Sequence, residues 1–489
     1  MLPETISHIL ATRPALALSI SILVLATLIN LGIEKIKGPK RNVVAFIVAI
    51  VALCITEALL FILPLDSVPN KAVEFFVFDN FSRYFAVFAV FVTIAITVAV
   101  YYYSESLPEV PAFYALITGT AIGLILLPSA VDLVGVFIAW ELLSVPLYAM
   151  VAYSHNWSRS VEGAVKYYIM GTASSAILGL GIGIIAAITG TTNLYLLEYK
   201  IPIVITDLFN QVLLGIAIIA LIVGFGVKLT LVPIHQWAPD TYEGSMPPIT
   251  AYLSGTIKAV RFSAPLKVIM LLAPIARYDA RLYLAILSFL TMTYANIVAL
   301  KQKSVYRMMA YSSIAQIGYI VIGLVAATNA GVTAAIFYAF AFAIMEVIVF
   351  IAIGIIIKYI GAQTIDDYNG LASKYPGLSI ILAFSLLSLV GIPPFIGFAG
   401  KVYLFVAVWS AGITWLAIAF AINSAISIGY YGLVIKRMFL EEPSKELKQV
   451  RIPVLFMAIL WILTLAIIAF GVYPLPIEKY ARRATFDIA

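Results

Sequence analysis

Uninterrupted apolar runs of about 20 residues recur along the whole chain, and each can cross about 30 Å of hydrocarbon as a helix. This feature constrains the fold more than any other, because only helices and closed barrels satisfy their backbone hydrogen bonds inside a bilayer. Transmembrane β-strands are shorter, about 10 residues, and alternate apolar with polar side chains. The runs therefore predict an all-α integral membrane protein.

Composition leads to the same class and excludes several functions. The 489-residue chain is 63% hydrophobic and 11% charged, whereas soluble domains hold about 25% charged residues. Its net charge of +6 needs no nucleic-acid partner, since loop lysines and arginines orient membrane proteins. The single cysteine, Cys54, excludes a disulfide within the chain and a Cys-ligated zinc or iron–sulfur site. His8, His155 and His235 lie far apart in sequence, which argues against a haem, so we expect no metal or cofactor in this chain.

The apolar runs predict fourteen transmembrane spans. They fall near 15–34, 42–63, 83–103, 111–128, 131–153, 164–188, 210–235, 248–273, 281–300, 306–327, 331–358, 378–408, 413–435 and 452–473. An even number of spans places both termini on one side of the membrane. The loops that follow odd-numbered spans hold more lysine and arginine than the other loops, which predicts that both termini lie outside.

Two of the predicted spans are interrupted by proline. In "KLTLVP" Lys228 precedes Pro233 in the seventh span, and in "GIPPFIGFAGK" two prolines precede Lys401 in the twelfth. An offset of five helices makes the two broken helices run in opposite directions, as in an inverted repeat. Broken helices in corresponding positions point to a transport site near the middle of the bilayer.

This pattern predicts four parts in the chain. They are an N-terminal three-helix segment at 1–110, a first five-helix repeat at 111–275, a second at 276–440, and a C-terminal helix and tail at 441–489. The two repeats have inverted topology, and each contains one broken helix, the seventh or the twelfth.

A few ionisable residues lie inside the predicted spans. They are Glu57, Glu141, Lys228, Lys258, Arg261, Lys267, Glu346 and Lys401. Each can cost about 2.5–3.5 kcal/mol at a helix centre, and such residues often mark ion or proton paths. Lysine releases its proton when it is desolvated, whereas arginine keeps it. A buried lysine with a movable carboxylate can therefore act as a proton switch, and we expect Glu141 to be the partner of Lys228.

The residues fall into two groups by expected role. The proton-transfer candidates are Glu141, Lys228, Lys258 and Lys401, with His235 and Glu346 as additional candidates. A structural ion pair within a helix bundle is the alternative interpretation. Arg261 and Lys267 are expected instead to extend along the helix towards a membrane end.

Five motifs, in this order, resemble the antiporter-like membrane subunits of respiratory complex I, and subunit N most of all. They include "WELLSVPLYAMVAY", "GFGVKLTLVPIHQWAPDTYEGSMPP", "YRMMAYSSIAQIGY" and "GIPPFIGFAGKVYLF", and the resemblance covers about residues 110–440. It implies fourteen helices with inverted repeats and a proton path along the midplane. Glu141 and Lys228 match the family's ion pair, while Lys258 and Lys401 match lysines of the eighth and twelfth helices. Glu346 departs from the family pattern.

The resemblance implies a proton-translocating membrane-arm subunit of a complex I-type oxidoreductase that takes electrons from NADH or another donor to quinone. Redox chemistry would occur in other subunits, which would hold quinone, FMN and iron–sulfur clusters, so this chain is an enzyme only as a subunit. The expected partners are other membrane-arm subunits and the lipid bilayer, and the expected location is the plasma membrane. Two alternatives are a subunit of a Na⁺/H⁺ antiporter or membrane-bound hydrogenase, and a scaffold subunit that does not pump.

Overall fold

The computed structural model describes residues 12–153 without 37, 39 and 69, and residues 159–275, 280–443 and 450–486. His8 and His155 lie outside the described residues. Within these ranges the secondary structure is helical apart from three isolated β-bridges. Of the described helices, 12 are long and apolar enough to cross a membrane. The expected all-α membrane fold is confirmed.

In the described ranges, eight α-helices with defined bounds precede the first break. They are α1 Pro14–Glu34, α2 Arg41–Ile62, α3 Asn80–Tyr101, α4 Val110–Ser129, α5 Leu133–Ala152, α6 Ser160–Thr189, α7 Leu194–Val204 and α8 Leu208–Leu229. Short polar side chains start several of these helices. Asp132 accepts hydrogen bonds from two backbone N–H groups at the start of α5, and Asp207 accepts one at the start of α8. Such caps satisfy donors that have no partner in the helix itself.

The region after the first break is helical in consecutive pieces. It contains α9 Trp237–Gly244, α10 Pro247–Ala251, a π-helical turn at Tyr252–Ile257, α11 Lys258–Arg261 and α12 Ser263–Ile275. The predicted eighth span therefore corresponds to a helix that is widened by a π-turn immediately before Lys258.

The C-terminal half contains the second break. Its helices are α13 Ala280–Ala299, α14 Val305–Ala326, α15 Asn329–Ile355, α16 Leu371–Lys374, α17 Pro376–Val390, α18 Ile396–Ser410, α19 Thr414–Leu440, α20 Val454–Val472 and α21 Leu475–Phe486. The apolar helices α17 and α18 are shorter than a full span and flank the second break.

Helices α14 and α15 form the centre of the molecule. Of their most apolar stretches 94% is buried, against 33% for α1 and α2 and 28% for α20. Helix α15 packs against α14, α17, α18, α21 and the π-turn. The polar residues carried by α14 and α15 are therefore enclosed by protein, whereas α1, α2 and α20 are outer helices.

The structure changes some of the expected boundaries. The predicted seventh span at 210–235 ends at Leu229, because Thr230 adopts a left-handed φ of 65° and the chain then turns. Helices α7, α9 and α21 occupy segments that the hydropathy pattern leaves outside the spans. The count of fourteen spans, the inverted repeat and the four-part division of the chain stay predictions.

Candidate proton-transfer site

Lys228 lies in the last turn of α8 and is fully buried. Its ammonium donates hydrogen bonds to Glu141 Oε1 at 2.8 Å, Ser144 Oγ at 2.8 Å and Ser175 Oγ at 3.1 Å. An ammonium has three donors, so these three oxygens satisfy it completely. The structure thus brings Glu141 and Lys228 together as an ion pair, and the two serines hold the lysine in place.

The two members of this pair differ in exposure. The Glu141 side chain is 25% exposed, whereas that of Lys228 is 0% exposed. Ser175 also donates a hydrogen bond to the Glu141 carboxylate. The carboxylate therefore has free space on one side, while the ammonium is enclosed by its acceptors and by the Trp140 ring 5.7 Å away.

Arg261 corrects one expectation from the sequence. Instead of extending to a membrane end, it is 1% exposed and points into the bundle. Its Nη2 donates to Ser144 Oγ and to Tyr167 OH, each at 3.1 Å. Ser144 in turn donates to the Trp140 carbonyl at 2.6 Å. The Ser144 hydroxyl thus accepts hydrogen bonds from both Lys228 and Arg261. The permanent positive charge of Arg261 therefore lies beside the ion pair.

Lys267 is expected to extend towards a membrane end, and its ammonium lies at the ends of two helices. It is 7% exposed, and its ammonium donates to the Pro128 carbonyl at 2.6 Å. The Asp79 carboxylate, at the start of α3, lies 3.7 Å away. Lys267 therefore ties α12 to the ends of α3 and α4, away from the ion pair.

Lys258 lies directly after the π-turn and is 1% exposed. Its ammonium donates to Ser313 Oγ on α14 at 2.9 Å and lies 5.2 Å from the centre of the Tyr242 ring. A neutral hydroxyl and an aromatic face are its nearest partners, so it is held without a directly bonded carboxylate.

Glu346 lies on α15 opposite Lys258 and is 0% exposed. Ser254 and Ser313 face its carboxyl group, but neither oxygen is in hydrogen-bond geometry with a donor in the described part of the chain. The nearby opposite charge is that of Lys258. A fully buried carboxyl group with open acceptors, next to a lysine, is placed to exchange a proton with it.

Lys401 lies on α18 just after the second break and is 5% exposed. Its ammonium donates to the Val390 carbonyl and to Ser424 Oγ, both at 2.9 Å. Within the described ranges no carboxylate is in ion-pair distance of it. Gly391 adopts a left-handed φ of 91°, and a Cβ atom there would lie 2.8 Å from Cδ of the lysine. The glycine thus leaves room for the side chain to fold back over the break.

Polar side chains occupy the space between Lys258 and Lys401. Ser312, next to Ser313, shares a hydrogen bond with Tyr431. The set continues through Tyr430 and Tyr431, whose tilted rings have centres 4.4 Å apart. Tyr430 OH donates to Asn296 Oδ1 at 2.9 Å, and Asn296 Nδ2 donates to Tyr319 OH at 2.9 Å. Lys401 lies 4.8 Å from the centre of the Tyr319 ring. These buried side chains, called the polar line below, lie between the two lysines and contact one another partly through hydrogen bonds and partly through ring contacts.

His235 lies in the turn that follows α8 and is 5% exposed. Its ring centre is 5.0 Å from that of Tyr294, and its Nδ1 has no hydrogen-bond partner among the described residues. It is near enough to Lys258 to interact with it electrostatically. Its role in proton transfer stays a prediction, as do the roles of the other five candidates.

An ion-pair network fixes α9 beyond the first break. Asp240 accepts from Lys166 on α6 at 2.6 Å and lies 2.8 Å from Arg307 on α14. Glu243 accepts from Arg307 at 3.0 Å and from Arg159 at 2.9 Å. Burial alone would raise the pKa of Asp240, but the hydrogen bonds from Lys166 and Arg307 outweigh it and hold that pKa below its usual value.

The sequence model of one protein family, described as NADH:quinone oxidoreductase/Mrp antiporter, transmembrane, matches residues 130–427. The chain belongs to this family. The matched residues contain all six proton-transfer candidates, whereas Glu57 on α2 lies outside them.

Two curated proteins that are similar to this chain are named subunit N. The chain is 33% identical over 415 residues to the F(420)H(2) dehydrogenase subunit N of Methanosarcina mazei, covering 83% of each chain. It is also 33% identical over 417 residues to the NADH-quinone oxidoreductase subunit N of Heliobacterium modesticaldum, covering 84% of this chain and 86% of the relative. The resemblance to subunit N is confirmed.

Solved structures share the fold over nearly the whole chain. A chain of respiratory complex I from Thermus thermophilus superposes with a TM-score of 0.78 at 25% identity, covering 94% of this chain and 98% of that chain. A chain of the archaeal membrane-bound sulfane sulfur reductase superposes with a TM-score of 0.86 at 24% identity, covering 97% of each. At that identity the second likeness concerns the fold alone.

Several neutral polar residues in the interior of this chain are not identified from the sequence. Asn296, Ser313 and the adjacent pair Tyr430 and Tyr431 are neutral, so a search for charges inside spans does not find them. The amide in "TYANIVAL" and the tyrosine pair in "IGYYG" are the signals that could have done so, since polar groups inside an apolar run need internal partners.

Proposed function

We propose that this chain is the proton-translocating membrane-arm subunit of a complex I-type quinone oxidoreductase. The observation that carries the proposal is the buried ion pair of Glu141 and Lys228, together with the buried polar side chains that lie from Lys258 to Lys401. The names of the curated relatives, which are subunits of quinone oxidoreductases and of an F(420)H(2) dehydrogenase, support it.

The first step of the mechanism is a change in the distance between Glu141 and Lys228. With the carboxylate at 2.8 Å, the ammonium is stabilised by an opposite charge. When the carboxylate moves towards its exposed side, Lys228 keeps only two serine hydroxyls and still faces the fixed charge of Arg261. That arrangement favours transfer of the proton from Lys228 to a neutral Lys258, the next basic side chain of the proposed path. Arg261 cannot take it, because a guanidinium stays protonated.

The second step moves a proton along the polar line. Lys258 bonds a hydroxyl, and the carboxyl group of Glu346 next to it has open acceptors, so the two can share a proton. The tyrosines and Asn296 then offer hydrogen-bonding groups as far as Lys401. Lys401 bonds only neutral groups in the described part of the chain, and it serves as the last holder before the exit at the second break.

The proposal extends to the setting of the chain. Its partners are other membrane-arm subunits, and the quinone, FMN and iron–sulfur clusters belong to partner subunits. The chain lies in the plasma membrane with both termini outside, and it is part of an enzyme only when assembled. The relatives are named for different electron donors, F(420)H(2), NADH and NAD(P)H, so the donor is a property of the partners.

The test is proton pumping by the assembled complex in liposomes, with protons moved per electron pair as the readout. Lys258→Met removes the central charge at similar side-chain length and should lower this ratio. Lys166→Met, which removes a half-exposed lysine of the ion-pair network, is the matched control and should leave the ratio unchanged. An unchanged ratio in Lys258→Met would indicate a scaffold subunit.

A second measurement separates the remaining alternatives. The isolated chain should show no oxidoreductase turnover with NADH or quinol, because redox centres are expected in partner subunits. Copurification with quinone-site and iron–sulfur subunits in mild detergent supports the proposal, whereas copurification with other antiporter subunits alone contradicts it. Sodium-dependent transport in place of proton transport would also contradict it.

A further inference from the structure

A groove of about 330 Å³ lies between α3, α15 and α21, and neither residue of the ion pair lines it. Its walls are apolar and include Phe61, Val87, Phe88 and Phe340. Of its lining residues only Phe340 falls within the family match at 130–427. The groove is therefore a feature mainly of the N-terminal helices and the C-terminal helix, which the proposed mechanism does not use.

Two arginines line the groove near the start of α3, Arg83 on α3 and Arg483 on α21. Arg83 is in the first turn of α3, donates to the Leu63 carbonyl, and has an Nε without a partner in the described chain. Arg483 is on the exposed face of α21, over the Tyr480 ring at 6.0 Å. No described carboxylate is in ion-pair distance of either guanidinium. Their positive charges are left available to an anion.

The opposite side of α21 provides an internal comparison. A second groove, of about 570 Å³, includes Arg482 and Glu478 in its lining. Arg482 donates to the Glu478 carboxylate at 2.8 Å, four residues earlier on the same helix. The guanidinium of this second groove is thus neutralised within the chain, whereas those of Arg83 and Arg483 are not.

The shape of the first groove suits an amphiphile with a negative headgroup. Phe88 is eight residues beyond Asn80, so the apolar wall on α3 extends about 12 Å from the basic end. Helix α21 is amphipathic, with Arg482 and Arg483 exposed and Ala481 and Ala484 buried, as in helices that lie in the membrane interface. Basic sites between membrane helices bind lipid headgroups through such charges.

We propose that the groove between α3, α15 and α21 binds a phospholipid with an anionic headgroup, its phosphate between Arg83 and Arg483 and an acyl chain against Phe88 and Phe340. The planar guanidinium of arginine has donors that match phosphate oxygens. The apolar wall offers the acyl chain the contacts that neighbouring lipids make in the bilayer. The site would join the N-terminal helices to the C-terminal helix through a bound lipid.

Native mass spectrometry of the full-length chain tests this proposal. The delipidated protein is titrated with phosphatidylglycerol, with phosphatidylcholine and with inorganic phosphate. The wild-type chain should bind phosphatidylglycerol at least about tenfold more tightly than phosphatidylcholine, and R83Q/R483Q should lose that preference. R482Q is the matched control, and it should keep the preference because its guanidinium is already paired. If R83Q lowers the yield of folded chain, R483Q alone should still reduce the preference, since Arg483 is exposed.

Four results would overturn the proposal. They are equal affinity for the two lipids, an equal loss in R482Q, binding of inorganic phosphate as tight as that of phosphatidylglycerol, and a preference that vanishes in the assembled complex. The last would mean that a protein segment of a partner fills the groove. None of these results depends on proton pumping, so the lipid site and the proposed function are tested separately.

Discussion

The two broken helices hold their lysines in different ways. At the first break Lys228 precedes the interruption and bonds one carboxylate, that of Glu141, and two hydroxyls. At the second break Lys401 follows the interruption and bonds one hydroxyl and the Val390 carbonyl, the last one of α17. Both lysines are buried and both lie next to a residue with left-handed backbone, so the environments differ mainly in charge.

A broken helix with a buried lysine can therefore have two different electrostatic environments. Next to Lys228 the counter-charge is a side chain with free space on one side, and its position can change. Next to Lys401 the acceptors include a backbone carbonyl at a helix end, which cannot move without the helix. We infer that the first break switches the affinity for a proton, and that the second holds a proton at a fixed affinity.

The largest expected effect comes from removing the counter-charge at the first break. Glu141→Gln should lower proton pumping by the assembled complex by about tenfold, which corresponds to about 1.4 kcal/mol, because Lys228 loses the anion that stabilises its charge. Glu162→Gln, in an exposed ion pair with Lys166, is the matched control and should pump normally. Less assembled complex with normal pumping per complex would instead indicate a purely structural pair.

The next effect tests whether the second break holds a mobile proton. Lys401→Arg should reduce pumping about fivefold, or about 1 kcal/mol in barrier, because arginine keeps its proton. Lys401→Ala should reduce it at least as much without loss of folded protein, since an ammonium without a counter-charge is removed. Pumping at the normal rate in Lys401→Arg would show that position 401 needs only a fixed charge.

A third prediction concerns the backbone of the two breaks. Gly391→Ala should lower the free energy of unfolding by about 1–2 kcal/mol, because alanine is strained in a left-handed conformation and its Cβ would crowd Lys401. At the first break Thr230 is already left-handed, and Thr230→Gly should change stability by less than about 1 kcal/mol. Thermal unfolding in detergent measures both. Equal effects of the two substitutions would contradict the distinction.

The smallest effect concerns the ion pairs that fix α9. Because the folded pKa of Asp240 is below its unfolded value of about 3.9, its contribution is complete above about pH 4 and is lost as the pH falls. The side chain is 27% exposed, so this contribution is at most about 1 kcal/mol. The thermal midpoint of Asp240→Asn should therefore fall less between pH 5 and pH 3 than that of the wild type. Asp366→Asn, in a more exposed pair, should behave like the wild type.

The class of fold and the pairing partner of Lys228 could be predicted from the sequence because each follows from a strong local signal. Long apolar runs require membrane helices, and a glutamate inside one run requires a cation from another. The direction of the Arg261 side chain could not be predicted, because snorkelling and inward hydrogen bonding suit the same position in a helix. Only the arrangement of the helices in the bundle places Ser144 of α5 and Tyr167 of α6 within reach of its guanidinium.

The neutral part of the candidate site was beyond prediction for a related reason. Asn296, on α13, bonds Tyr430 and Tyr319, which come from α19 and α14. Asn296 and Tyr430 are 134 positions apart, and Asn296 and Tyr319 are 23 apart on different helices. Hydropathy contains no information about which helices are neighbours. Helix α21 shows the same limit, since its amphipathic pattern predicts an interface but not the grooves on its two sides.

The π-turn at Tyr252–Ile257 has a consequence for the angular register of the helix that carries Lys258. Each residue of an α-helix turns the chain by about 100°, so one extra residue in a wide turn rotates everything after it by that angle. The rotation aims Lys258 at α14 and, one turn later, Arg261 at α5. Winding the same residues as an uninterrupted α-helix would turn both cations away together by about 100°, whereas deleting one residue within 252–257 would remove the extra residue and leave their directions unchanged. The π-turn thus determines the direction of both Lys258 and Arg261, which contacts Ser144 next to the ion pair.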